Sequence, residues 1–422
     1  MTLPLALYRV AAGLAAPALA RRMAARPGDA ALPRARQRER LGHASLPRPE
    51  GRVIWLHGAS VGEGLSLLPL IAALAEADPA ARYVVTTGTV SSATLLAERL
   101  PGTAVHQFAP LDAPAAVRRF LDHWRPDRLV LVESEVWPNW LAEARARRLP
   151  VALVGARLSE RSLSRWRAFP RTAAEIWRGI GLVRTQAGAE ALRALHPDAA
   201  PGPDLKAAAA PLAPGPDLAE LTRHLAGRPV WAAVSTHPGE EELALSAHET
   251  VRETHPDALL LLVPRHPERA GAIAPGAPRR SAGALPGATD PVWLCDTLGE
   301  TGTWFRLARV VFLGGSLVPV GGHNPWEPAA LGRAPLHGPH VENARGAYDR
   351  LGAEEAAIAV TAARLGPEVA ALLSDAARRE ALDRRAGEVA ARQVRDLGTL
   401  AREVLDLLAD PPAAPARPDK AP

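Results

Sequence analysis

The chain has 422 residues, enough for two or three domains of about 150 residues each, so it can bury more than one hydrophobic core. Its single cysteine, Cys295, excludes an internal disulfide, a cysteine-built structural zinc site and an iron–sulfur cluster, and favours a reducing compartment. A hydrophobic content of 47%, with 23% charged residues and a formal net charge of +5, excludes wholesale disorder and a polytopic membrane protein.

The basic residues are almost all arginine. Of 50 basic side chains only Lys206 and Lys420 are lysine, which leaves 48 arginines, and asparagine occurs only at Asn139, Asn324 and Asn343. This bias is typical of a GC-rich coding sequence. Because lysine and arginine differ in geometry and proton affinity, a lysine in the body of such a chain indicates a place where arginine would not serve.

The first twenty residues, MTLPLALYRVAAGLAAPALA, form an apolar run near the lower length limit for a membrane span. Arg9 near its middle argues against a spanning helix, because inserting it would cost about 2.5–3.5 kcal/mol. Ala18-Leu19-Ala20 resembles a signal-peptide cleavage site, but the basic residue that should precede the apolar stretch of a signal peptide is missing. We interpret residues 1–45 as a shallow membrane anchor with a basic arm suited to an anionic leaflet; the alternative is a solvated basic helix without lipid contact. The arginines of the arm are Arg21, Arg22, Arg26, Arg34, Arg36, Arg38 and Arg40, opposed by Asp29 and Glu39.

From residue 52 onward, short β-rich runs alternate with alanine- and leucine-rich helical stretches, the pattern of a doubly wound α/β domain. Buried parallel strands are predicted at Arg52–His57, Tyr83–Gly88, Thr103–Phe108, Arg128–Glu133 and Val151–Ala156. Crossover helices are predicted between them at Leu65–Ala77, Ser91–Leu100 and Ala113–Trp124.

A second series of strands follows a proline- and glycine-rich stretch, residues 197–217, that indicates a linker. Its strands are predicted at Val230–Ser235, Ala258–Pro264, Val292–Cys295, Val310–Gly315 and Ala356–Val360. The predicted domains are the anchor and arm at 1–45, Rossmann-like domains at 46–205 and 206–410, and a disordered tail at 411–422. Two such domains create a cleft, and ligands bind open α/β sheets at the carboxyl ends of the strands.

The loop after the first strand, HGASVGE, places small residues before a helix, where backbone can approach a ligand. It is neither a dinucleotide fingerprint nor a P-loop. The sequence allows two interpretations of Glu63. In one, Ser60 and Glu63 form a capping box that starts the helix; in the other, Glu63 is a carboxylate that takes a proton from an acceptor hydroxyl.

Two further clusters of charge follow strands of the first domain, and Lys206 lies in the predicted linker. Glu133 and Glu135 in ESEVWPN are paired acids that either share a site or hold basic groups, although the neighbouring tryptophan and proline also indicate packing. Arg157 and Arg161 are anion ligands or partners for those glutamates. Lys206 is either a solvated linker lysine or a cation that reaches a phosphate or carboxylate in the cleft.

In the second domain, STHPGEEE is a strand end that runs into an acidic helix start, the charge that a helix dipole favours. Arg265 in PRHPER is a donor suited to phosphate or carboxylate, and His266 has no second metal ligand at helical spacing. The glycine pairs of GGSLVPVGGHNPWEPAALG are suited to close ligand approach, with Asn324 in the turn and Glu327 placed to accept hydrogen bonds from ribose hydroxyls.

These motifs together resemble the transferases of 3-deoxy-D-manno-octulosonic acid (Kdo) that act in lipopolysaccharide synthesis. The resemblance rests on the order, across residues 55–343, of HGASVGE, ESEVWPN, ARLSERS, STHPGEEE, PRHPER, DTLGE and GGSLVPVGGHNPWEPAALG. It implies a GT-B glycosyltransferase, with two Rossmann-like domains facing across a cleft, that moves Kdo from CMP-Kdo to the lipid A precursor lipid IV-A. It also implies an inverting reaction without a metal or resident cofactor, at the cytoplasmic side of the bacterial inner membrane, with no nucleic-acid partner.

The resemblance assigns roles to residues of this chain. Glu63 falls on the general base, and Glu133 and Lys206 fall on positions that stabilise the transition state. The CMP contacts fall on Pro264, Arg265, Leu298, Gly299, Glu300, Asn324, Pro325, Trp326 and Glu327. Two positions depart from the family pattern: PDLKAAA lacks the asparagine and aspartate usual around the lysine, and GARLS replaces NARLS. No D-x-D triplet, typical of metal-dependent transferases, occurs in the sequence.

Two alternatives stay open at the level of sequence. One is a GT-B relative that uses another nucleotide sugar, such as an epimerase, whose soluble substrate would not need the anchor. The other is a non-catalytic lipid- or nucleotide-binding protein of the same fold, against which the presence of Glu63 argues.

Overall fold

A computed structural model describes residues 1–133, 136–186, 189–207 and 211–407. The chain separates into two compact units, one made of Met1–Ala209 with Arg395–Pro422 and the other of Ala210–Val394. The predicted tail at 411–422 lies outside the described residues.

Within the described residues, the first unit holds a seven-stranded, all-parallel sheet in the order β3-β2-β1-β4-β5-β6-β7. The central strands are near-continuous apolar runs buried on both faces, as parallel sheets require. The strands are β1 (Val53–His57), β2 (Arg82–Thr87), β3 (Ala104–Phe108), β4 (Arg128–Val132), β5 (Val151–Ala156), β6 (Leu182–Thr185) and β7 (Ala200–Pro201). The helices are α1 (Leu3–Ala24), α2 (Pro27–Ala30), α3 (Arg34–Arg38), α4 (Val61–Ala77), α5 (Val90–Ala97), α6 (Pro114–Trp124), α7 (Pro138–Ala146), α8 (Glu160–Ala168), α9 (Pro170–Trp177) and α10 (Ala189–Arg193), with a 3-10 turn at Glu39–Leu41.

The described part of the second unit holds a six-stranded, all-parallel sheet in the order β10-β9-β8-β11-β12-β13. Its strands are β8 (Val230–Thr236), β9 (Leu259–Pro264), β10 (Val292–Leu294), β11 (Val310–Leu313), β12 (Pro335–His337) and β13 (Ile358–Ala359). The helices that follow residue 210 are α11 (Leu218–His224), α12 (Glu240–Thr254), α13 (Ala270–Ile273), α14 (Thr301–Leu307), α15 (Trp326–Ala329), α16 (Arg345–Ala353), α17 (Ala362–Ser374) and α18 (Ala376–Asp406), with 3-10 turns at Pro267–Arg269, Arg280–Ala282 and Glu342–Ala344.

The structure draws the domain boundaries differently from the sequence prediction, which placed residues 206–410 in the second domain. Residues from Arg395 onward belong to the first unit. The reason is packing, because the last turns of α18 bury apolar side chains in the first unit's core. These are Leu397, Leu400, Ala401 and Val404, each at most 3% exposed.

The predicted linker at 197–217 is wrong in its first half. Residues 200–201 form β7, paired with β6, and Leu205 and Ala207 are at most 2% exposed. Proline and glycine are tolerated here because β7 is the last strand of the sheet, where proline need not donate to a further neighbour. Residues 208–210 lie outside the described residues.

The basic arm is also only partly as predicted, because three of its charged residues, Asp29, Glu39 and Arg40, are buried in the fold. Arg40 is 3% exposed; it bonds Asp29 Oδ1 at 2.5 Å and the Gly88 carbonyl at 3.0 Å. Glu39 is fully buried and accepts from the Phe108 amide at 2.8 Å. A buried charge needs partners, and these pairings fasten the arm to the end of β3.

Candidate active site

The sheet order of the first unit brings two predicted carboxylates to the same edge. The strand order reverses direction between β1 and β4, and ligands bind α/β sheets outside the carboxyl ends of strands at this point. Glu63 lies in the first turn of α4, shortly after β1, and Glu133 directly follows β4. Both residues therefore stand after the carboxyl ends of two adjacent, paired strands, and the charge of Glu63 contributes to raising the pKa of Glu133.

Glu63 forms the capping box that its spacing predicts. Its amide donates to the Ser60 hydroxyl at 3.3 Å, and its Oε2 accepts from the amides of Ala59 at 2.6 Å and Ser60 at 3.4 Å. The same carboxylate retains Oε1, which has no hydrogen-bond donor among the described residues. Capping and proton transfer are therefore compatible, because each uses a different oxygen.

Glu133 stands in a strained and desolvated position. Its φ of +59° lies in the left-handed region, which costs a non-glycine residue about 1 kcal/mol or more. The turn is held by its amide, which donates to the Val154 carbonyl, and by its carbonyl, which accepts from the Arg157 amide. Burial raises the pKa of Glu133, the negative charge of Glu63 adds to that rise, and Lys206 and Arg157 oppose it.

Lys206, near the end of the first unit's N-terminal segment, lies close to the Glu133 carboxylate. Its Nζ lies 3.8 Å from Glu133 Oε1, and its side chain is 43% exposed. The buried neighbour Leu205 and the bond from the Lys206 amide to Asp204 Oδ1, at 2.9 Å, position it. Glu135, the second predicted acid of ESEVWPN, lies outside the described residues.

The raised pKa of Glu133 predicts a particular pH dependence of stability. Because the fold disfavours the ionised carboxylate, its contribution to stability is greatest at low pH and is lost as the pH rises through the folded-state pKa. The charges acting on it are Lys206, Arg157, Glu63 and Asp204. Glu133→Gln is therefore expected to raise the thermal midpoint relative to wild type increasingly between pH 4 and pH 7, measured by circular dichroism.

The exposed Glu76, on α4, supplies the matched control for that measurement. Glu76→Gln should follow the wild-type pH dependence throughout. Parallel curves for wild type and Glu133→Gln would contradict the assignment of desolvation at Glu133.

In the second unit, two of the predicted CMP contacts, Arg265 and Glu327, stand at a strand end and at a helix start. Arg265 follows β9 and is exposed, and Glu327 lies in the first turn of α15. Burial raises the pKa of Glu327, while a hydrogen bond with Asn324 and the charge of Arg265 lower it. Asn324 also accepts from the Trp326 amide at 3.2 Å, so it organises the turn that presents the carboxylate.

The other residues predicted to contact CMP differ in their solvent exposure. Leu298 is 80% exposed and Gly299 has a φ of +84°, so this turn presents an apolar side chain and open backbone. Pro264, Pro325 and Trp326 are buried, so their side chains belong to the core. Glu300 is engaged by Arg280 at 2.6 Å, and that hydrogen bond lowers the pKa of the Glu300 carboxyl.

Sequence reasoning missed the role of Glu240, which it took as one of several acids at a helix start. Glu240 is fully buried, and its carboxylate organises the loop after β11. It accepts from the amides of Gly315 at 2.5 Å, Ser316 at 2.9 Å and Leu317 at 2.8 Å, and from His237 at 3.1 Å. The signal in the sequence was the pairing of an acid at a helix start with a glycine-rich loop.

Two histidines of the second unit contact each other. His237 and His323 stack with ring centroids 5.2 Å apart, and their Nε2 atoms are 3.0 Å apart. Burial lowers the pKa of His237 and, with the charges of His237 and Arg265, lowers the pKa of His323 to about 4. The contact between neutral rings requires one to donate and the other to accept. No set of three or more histidine, cysteine or acidic side chains in the described ranges is arranged to hold a metal ion.

The fold is shared with the solved structures of a glycosyltransferase and an epimerase. A glycosyltransferase from Rickettsia africae superposes with a TM-score of 0.54, at 10% identity over 85% of this chain and 100% of that one. A UDP-GlcNAc 2-epimerase from Neisseria meningitidis, bound to UDP-GlcNAc, gives 0.53, at 12% identity over 84% and 99%. Identities this low support the fold alone.

Comparison of the amino-acid sequence finds proteins that are more similar to this chain than those two structures are. A family model described as 3-deoxy-D-manno-octulosonic-acid transferase (kdotransferase) matches residues 35–203. The 3-deoxy-D-manno-octulosonic acid transferase of Haemophilus influenzae is 33% identical over 89% of this chain and 92% of its own length. That of Bordetella pertussis is 35% identical over 80% and 83%.

The two Rossmann-like units give the chain the GT-B fold, and its sequence relatives make it a glycosyltransferase. The sequence relationship then specifies which one. The chain belongs to the 3-deoxy-D-manno-octulosonic acid transferase family.

Proposed function

We propose that this enzyme transfers Kdo from CMP-Kdo to lipid IV-A, with inversion at the anomeric carbon and without a metal ion. The observation that carries the proposal is the grouping of Glu63, Glu133 and Lys206 at one edge of the first sheet. It is the arrangement expected for activating a sugar hydroxyl and stabilising the charge that develops during transfer.

Glu63 acts as the general base in this proposal. A sugar hydroxyl is too weak an acid to attack unaided, so a carboxylate must accept its proton as the new glycosidic bond forms. The amides of Ala59 and Ser60 hold Oε2 and fix the side chain's orientation, while Oε1 takes the proton. Direct attack from the face opposite the departing CMP produces inversion.

Lys206 and Glu133 stabilise the transition state. The 3.8 Å separation of Lys206 Nζ from Glu133 Oε1 is longer than a direct hydrogen bond, so the ammonium group retains donors for a reacting anion. Lysine is a compact point charge with three rotatable donors, whereas arginine presents a planar fork. That difference supports a specific need for lysine here, in a chain whose other basic residues, apart from Lys420, are all arginine.

The second unit binds the donor in this proposal. Arg265 meets the phosphate of CMP, and Glu327 accepts hydrogen bonds from ribose hydroxyls. The backbone of the turn at Leu298 and Gly299, and the loop organised by Glu240, approach the nucleotide closely. CMP leaves as an anion, and a guanidinium can meet that charge where other transferases use a divalent cation.

The acceptor lipid places the enzyme at the cytoplasmic face of the bacterial inner membrane, and α1 attaches it. Leu3–Ala24 is long and apolar enough to cross a membrane by length and composition.

The proposal predicts transfer that is unaffected by chelation. Purified enzyme in detergent, supplied with CMP-Kdo and lipid IV-A, is expected to form a Kdo-lipid product and free CMP at the same rate with or without excess EDTA, measured by mass spectrometry and CMP release. A reaction abolished by EDTA and restored by Mg²⁺ would overturn metal independence. Absence of product with both substrates present would overturn the assigned substrates.

A further inference from the structure

The first helix is fastened to the first unit through polar contacts at its start. The Thr2 amide donates to Glu175 Oε2 at 2.7 Å, and the hydroxyls of Thr2 and Thr172 lie 2.9 Å apart. Six residues further along the chain, the Tyr8 hydroxyl donates to Asp112 Oδ2 at 2.7 Å. These contacts place the N-terminal end of α1 against α9 and the segment before α6.

The middle of the helix is fastened as well. Arg9, the charge that opposes membrane insertion, donates to Glu143 Oε1 of α7 at 2.6 Å, with side chains only 18% and 6% exposed. Leu5 and Ala16 are 4% and 6% exposed on the same side of the helix. A spanning helix would have to withdraw all of these groups from their partners and carry Arg9 into hydrocarbon.

The opposite face of α1 is apolar and exposed. Leu3, Leu7, Val10 and Leu14 are 71%, 62%, 63% and 79% exposed. Their spacing of four, three and four residues places them on one stripe of the helix. A continuous apolar stripe of this kind marks a surface that contacts another apolar phase.

Exposed arginines flank the stripe at both ends. Arg145, Arg171 and Arg178 surround Thr2 at the start of α1, and Arg21, Arg22 and Arg26 lie at its end. The aromatic ring of Phe169, 56% exposed, lies next to the first group in sequence. An apolar face with arginines at its borders is complementary to a bilayer whose headgroups are anionic.

We infer that α1 lies in the plane of an anionic membrane surface, with Leu3, Leu7, Val10 and Leu14 in the lipid and the opposite face docked on the first unit, and that it does not span the bilayer. The inference rests on the membrane attachment proposed above and is independent of the transfer reaction. A helix of 22 residues is about 33 Å long, so the spanning and in-plane arrangements differ greatly in where residue 2 lies.

A disulfide between positions 2 and 172 distinguishes the two arrangements. The full-length Thr2→Cys/Thr172→Cys variant is mixed with vesicles of phosphatidylglycerol and phosphatidylethanolamine and oxidised mildly. The vesicle-bound protein is then isolated by flotation, and its cross-linked fraction is measured. If α1 lies in the membrane plane, the cross-link yield of the vesicle-bound protein equals that of the protein in solution.

A control pair, Leu14→Cys/Thr172→Cys, should not cross-link because residue 14 lies about 18 Å further along the helix. Native Cys295 is fully buried. A yield that falls to the control level only in the floated fraction would overturn the in-plane arrangement while leaving membrane attachment standing.

Substitution of the stripe tests which side chains contact lipid. Leu7→Glu/Leu14→Glu is expected to lower the vesicle-bound fraction at least about tenfold, and wild type should bind phosphatidylcholine vesicles more weakly than anionic ones. Val394→Glu, at an apolar position 52% exposed elsewhere, is the control and should bind like wild type. Unchanged binding of the double variant would overturn the assignment of the stripe. Failure of wild type to bind vesicles at all would overturn attachment itself, whatever the transfer assay shows.

Discussion

Glu63→Gln is expected to lower the rate of Kdo transfer by about 10²–10⁴-fold without destabilising the protein. Glutamine keeps an oxygen that can accept from the Ala59 and Ser60 amides, so the capping box survives. It cannot accept a proton from the acceptor hydroxyl. Single-turnover transfer, combined with a thermal melt of the same preparation, measures the two effects separately.

Ser60→Ala is the matched control, because it removes the other half of the capping box and leaves the carboxylate. It should cost about 1 kcal/mol of stability and leave the rate within a few-fold of wild type. If Glu63→Gln transferred Kdo at the wild-type rate, Glu63 would not be the general base. An equal loss of rate in Ser60→Ala would mean that the helix start, rather than proton transfer, limits the reaction.

Glu240→Ala is expected to destabilise the second unit by about 3–5 kcal/mol, comparable to breaking a buried charged pair. The substitution leaves the amides of Gly315 and Ser316 buried without their acceptor, together with those of Leu317 and His237. The loop after β11 then loses the group that holds its backbone. Urea unfolding of the full chain measures the loss, and CMP affinity should fall with it.

Glu242, exposed in the same first turn of α12, provides the comparison. Glu242→Ala removes a charge that favours the helix dipole but no buried hydrogen bond, so it should cost no more than about 0.3–1 kcal/mol. Equal destabilisation by the two substitutions would show that Glu240 acts only through the dipole, and would contradict its role in organising the loop.

The strands that could be predicted were those with long apolar runs. Val151–Ala156 is confirmed residue for residue, and Arg52–His57 differs from β1 by one residue. The missed strands β6, β7 and β12 have two to four residues, and proline falls within β7 and β12. Segments this short carry little periodicity, and their pairing depends on a neighbouring strand already being in place.

The rare residues proved informative in a different way from the one expected. Lys206 does reach Glu133, in the group that the proposed mechanism uses. Asn139 instead is fully buried and ties the start of α7 to Asp112, donating from Nδ2 to the Asp112 carbonyl at 2.7 Å. Asn343 bonds the Val320 carbonyl. Asparagine persists in this chain largely where a short side chain must satisfy backbone groups at a turn.

The sequence by itself determined the fold class, the family and the residues that stand at strand ends, because these depend on local periodicity and on motifs read in order. Only the tertiary structure decided which side of α1 faces the protein, because the side that carries the charged Arg9 packs on the first unit while the leucine-rich side is exposed, the reverse of what side-chain polarity predicts. It likewise decided that the end of α18 completes the first unit and that Glu240 holds the loop after β11. Contacts between residues far apart in the chain set all three, and no local pattern encodes them.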